Sequence, residues 1–152
     1  MRTYAIACAA LLVFAGCDRI THPPRPLAKT ATFELYHVSA VPSPTSKPAT
    51  DPDTKAAIFL STPAIITTAD IATIQLAGDS PEAPGINVTL TPAGATKLAA
   101  ATSKPAGMEV AIVVNGNVIA VPKVRSRMSS SFSFTSGVQK QRDSWFAALT
   151  QQ

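Results

Sequence analysis

Ile86-Asn87-Val88-Thr89-Leu90-Thr91-Pro92-Ala93-Gly94-Ala95-Thr96-Lys97-Leu98 is followed, after a short break, by Glu109-Val110-Ala111-Ile112-Val113-Val114-Asn115-Gly116-Asn117-Val118-Ile119-Ala120-Val121-Pro122. In Ile86–Leu90 the apolar Ile86, Val88 and Leu90 alternate with Asn87 and Thr89, the period of a half-buried strand. The period changes at Thr91. A threonine hydroxyl there can accept a first-turn amide, and Pro92 at the first helical position gives up no hydrogen bond. Gly94, Ala95, Leu98, Ala99 and Thr102 then share one helical face. They are small, so this helix can lie close to a sheet, and Ser103-Lys104-Pro105-Ala106-Gly107 ends it. Val110–Val114 is a continuous apolar run, typical of a central strand. Asn115-Gly116 is the strongest two-residue hairpin signal, because both residues tolerate positive φ. Asn117–Val121 is the returning strand, and Pro122 ends it.

Working outward, Thr32–Val38 reads as a strand with Phe33 and Leu35 on one face. Val41–Asp53 carries Pro42, Pro44, Pro48 and Pro52 and reads as a long surface loop. Lys55–Leu60 is a short apolar run bounded by Pro52 and Pro63, Thr67–Asp70 a tight turn, and Ile71–Ala77 an alternating strand. Downstream, Ser131–Thr135 alternates Phe132 and Phe134 with serines. Ser136 with Gln139 has capping-box spacing. The last helix, Val138–Leu149, places Val138, Trp145, Phe146 and Leu149 on one stripe and turns Lys140, Arg142 and Asp143 to water. This order predicts an α+β fold, a two-layer sandwich of a mostly antiparallel sheet with two helices on one face. No internal repeat is visible.

The first sixteen residues read as an address. Arg2 is a positive start, Tyr4–Phe14 an uncharged apolar stretch too short to span a bilayer of ~30 Å, and Phe14-Ala15-Gly16-Cys17 follows. Two small residues before a cysteine resemble a bacterial lipobox, although leucine is usual where Phe14 stands. The resemblance implies cleavage before Cys17 and acylation of that residue, with several chains giving stable anchoring where one would not. Asp18 resembles the signal that retains enteric lipoproteins at the inner membrane, with the outer membrane as the other destination. The predicted product is therefore lipid-anchored in the cell envelope and faces the periplasm. Asp18–Lys29, with Pro23, Pro24 and Pro26, reads as a solvated tether. Fourteen residues from Cys17 to Thr30 at ~3.1 Å each would reach roughly 40 Å. The expected organisation is a signal peptide over 1–16, a proline-rich tether over 17–30 and an α+β domain over 31–152.

The two quoted runs also resemble the head of the first periplasmic domain of the export translocase subunit SecD, or of the fused SecDF. Shared features are a strand ending in Leu90-Thr91, Gly94-Ala95 early in a helix, the strand Ala111-Ile112-Val113, a glycine turn, and Val118-Ile119 before Pro122. Phe134-Thr135-Ser136-Gly137 and the closing helix to Ala147-Ala148-Leu149 resemble the segment that ends the head. The resemblance covers roughly Ala31–Leu149 and implies a binding part, with no catalytic residue to carry over. It also implies the head alone, without the family's transmembrane helices or base subdomain. The implied partners are a polypeptide or an envelope protein, with an accessory role in protein export. The alternative is a structural envelope lipoprotein with no role in export.

Composition narrows the chemistry. At 152 residues the chain is about one domain, and its 14% charged residues fall well below the ~25% of ordinary soluble chains, so charge does not hold it unfolded. Loss of Arg2 with the signal would leave twelve basic residues against nine acidic ones, a net charge of +3. That is mild for an exported chain, and nucleic acid is not an expected partner. Two cysteines, one of them Cys8 inside the signal, build neither a disulfide framework nor a metal site. His22 and His37 lack ligand-spaced companions. Ser129, Ser130, Ser131 and Ser133 lack a nucleophile elbow. Asp51/Asp53 and Asp79/Glu82 read as solvated turn acids, and no glycine-rich phosphate loop is present. The expectation is no enzyme, no cofactor and no metal. Lys123, Arg125 and Arg127 alternate, so on extended backbone they share one side. They read as a charged edge that discourages aggregation, or as a contact for anionic head groups or an acidic partner.

Overall fold

The computed structural model describes residues 22–77, 84–104 and 107–151. The expectations at segment 1–16, Cys17, Asp18, Asp79 and Glu82 lie outside them. The described chain forms β1 (Phe33–Ser39), β2 (Ser46–Thr50), β3 (Ala57–Ile66), β4 (Ile71–Ala77), β5 (Gly85–Leu90), α1 (Pro92–Ala101), β6 (Val110–Val114), β7 (Asn117–Ala120), β8 (Ser131–Thr135) and α2 (Gln139–Thr150). A single 3-10 turn, Thr68–Asp70, links β3 to β4. All strand pairs are antiparallel. The fold is the α+β sandwich the sequence predicts, with its strands divided between two sheets, β2-β3-β1-β6-β7 and β4-β5-β8.

The period-two strands point their apolar residues into one core. Phe33 and Leu35 of β1, Ile74 of β4, Ile86 and Val88 of β5 and Ile112 of β6 are almost fully buried there. Leu98 of α1 and Leu149 of α2 reach the same cluster, so both helices cover it. Phe33 lies 6.3 Å from Phe132 and 6.4 Å from Phe134, whose ring stands 6.1 Å from Trp145 (centroid distances). The all-apolar β6 is explained by its second face. Ala111 and Val113 join Tyr36, Ile58 and Leu60 in a smaller cluster on the far side of the five-stranded sheet. Burial and then the Glu34 carboxylate push the Tyr36 phenol up from its ordinary pKa. At the β6–β7 turn Asn115 and Gly116 have φ of 50° and 79°, as a two-residue hairpin of this twist requires.

Helix α1 starts as its residues dictate. The Thr91 hydroxyl accepts the Gly94 amide at 3.2 Å, and Pro92 opens the first turn. Gly94 then passes so close to the 3-10 turn that a β-carbon on it would stand 2.6 Å from the Asp70 carbonyl oxygen. The Thr91 amide donates to that carbonyl at 2.9 Å, and the Lys97 ammonium donates to the buried Asp70 carboxylate at 2.7 Å. The Thr67 amide and hydroxyl donate to the same carboxylate at 3.0 and 3.1 Å. Burial alone would raise the Asp70 pKa. The hydrogen bond from Lys97 and those from Thr67 outweigh it and hold the carboxyl below its ordinary range.

Four expectations need correction. Within Val41–Asp53, read as loop, Ser46–Thr50 is a strand paired with β3. Pro48 is tolerated because β2 is an edge. The ladder bonds at Asp51–Ala56 and Thr45–Thr62 fix the alternation so that Pro48 occupies a position needing no donor. Residues 22–29 are tied to the domain, although Pro23–Pro26 and Lys29 stay exposed as expected. Arg25 and Ile74 exchange two backbone hydrogen bonds of 2.8 Å on the β4 edge. The Ala28 amide donates to the Leu149 carbonyl, a helix-terminal acceptor that α2 cannot satisfy itself. The box at Ser136 and Gln139 is displaced. Val138 is the cap residue, so the third helical position is Gln141, whose Oε1 stands 3.1 Å from the Ser136 hydroxyl. Val138 lies outside the helix and is exposed, while Arg142 is buried. Arg142 precedes Trp145 by three residues and Leu149 by seven, which puts it on the apolar stripe, and Asp143 pairs its guanidinium at 2.8 Å.

Candidate functional site

A sheet edge leaves every second amide and carbonyl unpaired, so each edge must be blocked, covered or used. Pro48 and Lys47 block β2. Arg25 covers β4. The other two edges belong to β7 and β8. In β8 the bonds from Leu90 to Ser130 and from Ser136 to Pro84 set the alternation. Ser130, Phe132, Phe134 and Ser136 spend their backbone groups on β5, and those of Ser131, Ser133 and Thr135 turn outward.

This outward edge borders a groove between the two sheets. One part, about 240 Å³, is lined by Leu35, Ile112, Val124, Met128, Phe132 and Phe134, with Lys123 and Arg125 at its rim. A second part, about 290 Å³, lies between Ala120–Pro122 at the end of β7 and Ser133–Thr135 of β8, with Asp53 beside it. The two parts share Pro122, Ser133 and Phe134. The groove therefore offers apolar walls beside a row of free backbone donors and acceptors, and its shape suits an extended chain.

The segment leading into β8 forms the wall opposite. The Val124 amide donates to the Met108 carbonyl at 2.9 Å, and the Met128 amide donates to the Thr102 hydroxyl at 2.9 Å. Between these ties Arg125, Ser126 and Arg127 are exposed. Lys123, Arg125 and Arg127 are all exposed and Val124 is turned in, but Ser126 is exposed as well and the chain bends there, so the strict alternation expected of extended backbone stops at Arg125. Lys123 has Glu109 at 3.7 Å across a backbone bridge.

The remaining candidates are not drawn together. His37 sits half-buried in β1, and His22 lies ahead of β1, beside β4, where its carbonyl accepts the Gln75 amide group. Ser129, Ser130, Ser131 and Ser133 are exposed, the last bonding Asn87. Asp51 spends its two oxygens on the Asp53 amide at 2.9 Å and the Thr54 hydroxyl at 2.6 Å. The Thr54 hydroxyl, then the Asp53 amide, hold its carboxyl below the ordinary range. Among the described residues no group of three His, Cys, Asp or Glu could hold a metal, and no helix is long and apolar enough to cross a membrane. Sequence reading missed the β8 edge and its groove. The Phe132/Phe134 alternation marks the strand, but not which of its sides lacks a partner.

Solved structures share this architecture. One, from work titled "Structure and function of a membrane component SecDF that enhances protein export", superposes with a TM-score of 0.55 at 21% identity, over 78% of this chain and 60% of that one. Another, "Crystal structure of SecDF in Super-membrane-facing form", gives 0.54 at 20% identity, over 74% of this chain and 17% of that one. This chain thus spans under two thirds of either structure, and at these identities the likeness is one of fold. No curated protein matches the chain. The family profile described as SecDF, P1 head subdomain matches residues 44–151, which hold seven of the eight strands, both helices and the whole β8 edge, and the chain belongs to that family.

Proposed function

We propose that this chain is a lipid-anchored envelope protein facing the periplasm, whose head domain binds extended polypeptide without catalysis, as an accessory to protein export. The observation that carries the reading is the outward backbone of Ser131, Ser133 and Thr135 beside an apolar groove. An added strand gains hydrogen bonds from these groups, and its alternate side chains enter the groove. The fold already accepts backbone at an edge once, where Arg25 pairs with Ile74 of β4. The family of the domain, and the export-enhancing membrane component it resembles in fold, supply the setting. Anchoring rests on the Phe14–Cys17 pattern, and acylation of Cys17 is checked by mass spectrometry of the membrane-extracted chain.

The binding test uses the purified full chain and a fluorescent peptide alternating valine and threonine. Binding is expected, with loss of ten-fold or more in affinity for the same peptide N-methylated on the amides of one edge, since methylation removes donors without touching the protein. Equal binding of both peptides refutes strand addition. No binding of either refutes the polypeptide reading.

A further inference from the structure

The groove has a charged side as well as an apolar one. Lys123, Arg125 and Arg127 are exposed on the segment leading into β8; Lys123 and Arg125 line the same cavity as Phe132, Ser133 and Phe134, and Arg127 lies two residues beyond Arg125. Lys123 has a carboxylate in Glu109, at 3.7 Å. Among the described residues Arg125 and Arg127 form no ion pair. The segment that carries them is tied on either side, at Val124 and Met128, and both side chains are exposed. Asp53, at the far part of the groove, is the one carboxylate lining it among the described residues. The groove is therefore positive at the rim of its apolar part and negative at its other mouth.

We infer that the groove selects its polypeptide by charge, taking extended segments in which an acidic side chain stands next to apolar ones, with the carboxylate on Arg125 and Arg127. This rests on the reading of the groove as a polypeptide site and adds which polypeptides it takes. Guanidinium groups suit the purpose, since each can hold a carboxylate by two parallel hydrogen bonds and carries its charge at every physiological pH. Backbone pairing to β8 is indifferent to sequence. The apolar walls favour any hydrophobic residue. The arginines are the groove's discriminating element, and they act against lysine-bearing segments as well as for acidic ones.

Three peptides with the same alternating valine and threonine frame, carrying a central aspartate, asparagine or lysine, are titrated against the full chain at low and at physiological salt. The aspartate peptide is expected to bind about ten-fold more tightly than the lysine peptide, a difference of about 1.4 kcal/mol, with asparagine between and the gap narrowing as salt rises. In the double variant Arg125→Glu, Arg127→Glu the order of the aspartate and lysine peptides should invert. Both arginines are exposed, and an unchanged circular dichroism spectrum and Tm check that the fold is kept. Equal affinity for all three peptides overturns the charge selection and leaves strand addition standing. Failure of all three to bind removes the polypeptide site itself. If phosphatidylglycerol vesicles, but not phosphatidylcholine vesicles, bind through the two arginines and release the aspartate peptide, the basic wall is a lipid contact and the inference is wrong.

Discussion

Gly94→Ala probes the closest approach in the molecule. A β-carbon at this position meets the Asp70 carbonyl oxygen at 2.6 Å and the Asp70 Cβ at 2.8 Å. Neither atom is the free end of a side chain, so no rotamer change relieves the overlap. Helix α1 must instead back away by roughly 0.7 Å, and a packed interior resists such shifts. Retreat stretches the Thr91–Asp70 backbone bond of 2.9 Å and the Lys97–Asp70 pair of 2.7 Å. Overpacking of this kind costs about 2–3 kcal/mol, and weakening a buried hydrogen bond adds about 1 kcal/mol. Against that, alanine is favoured over glycine within a helix by about 1 kcal/mol. The net expectation is destabilisation by about 2–3 kcal/mol. On an exposed helix the same change would stabilise, so the sign alone decides. Urea unfolding followed by the emission of Trp145, the chain's one tryptophan and half-buried against Phe134, gives the readout. With a slope of roughly 2 kcal/mol/M the midpoint should fall by roughly 1 M. An unchanged or higher midpoint at equal slope would refute the close approach of α1 to the 3-10 turn.

Asp70 also predicts an acid dependence. Its carboxyl is held below the ordinary range, so the ionised form favours the folded state. That contribution is complete above the unfolded pKa of about 3.9 and is lost as pH falls through the lower folded value. Urea midpoints measured down a pH series should drop more steeply for the wild type than for Asp70→Asn, and parallel curves would count against the ion pair. Phe134→Ala removes a ring that is 4% exposed and packs on both Phe33 and Trp145. It should cost about 3–5 kcal/mol, read as a fall of roughly 10 °C or more in Tm. Gly116→Ala forces a side chain into a φ of 79° and should cost about 1–2 kcal/mol, whereas Gly137→Ala, with open space around it, should be neutral within about 0.5 kcal/mol by urea titration. Ser133→Pro removes an amide that β5 does not use, so peptide affinity should drop ten-fold or more while the circular dichroism stays that of the wild type.

Much of this fold was legible wherever a short window carries its own physics. Alternation in Ile86–Leu90, the Thr91-Pro92 start and the Asn115-Gly116 turn each depend on a few neighbouring residues, and each has its expected form. The errors came where a distant partner decides. Pro48 argued against a strand, yet β3 needs no donor from it. Arg142 argued for a solvated face, yet Asp143 and the helical stripe bury it. Pro23–Pro26 argued for a free spacer, yet the β4 edge and the end of α2 both had unpaired backbone to offer. The Asp70–Gly94–Lys97 knot joins residues 24 and 27 apart and shows in no period of the sequence. The candidate site shares this property. Its residues come from β1, β6, β8 and the segment between Pro122 and Met128, and only the order of strands in the sheets makes β8 an edge.

The pairing of Arg25 with β4 and of Ala28 with the end of α2 bears directly on how the proposed anchor would work. A solvated tether to Thr30 would let the domain wander roughly 40 Å from the bilayer. With His22 already held by Gln75 and Arg25 by Ile74, an acylated Cys17 would stand five residues along the chain from the first of these ties. At ~3.3 Å each those residues reach roughly 17 Å. The domain would then sit close to the lipid with a set orientation, because its leash leaves from the β4 edge. In the sheet order β4-β5-β8 the open strand is the one farthest from that attachment. At ~4.8 Å per strand the offset is roughly 10 Å, so a chain anchored at Cys17 would hold its β4 edge, already paired with Arg25, nearer the bilayer and its open β8 edge farther from it.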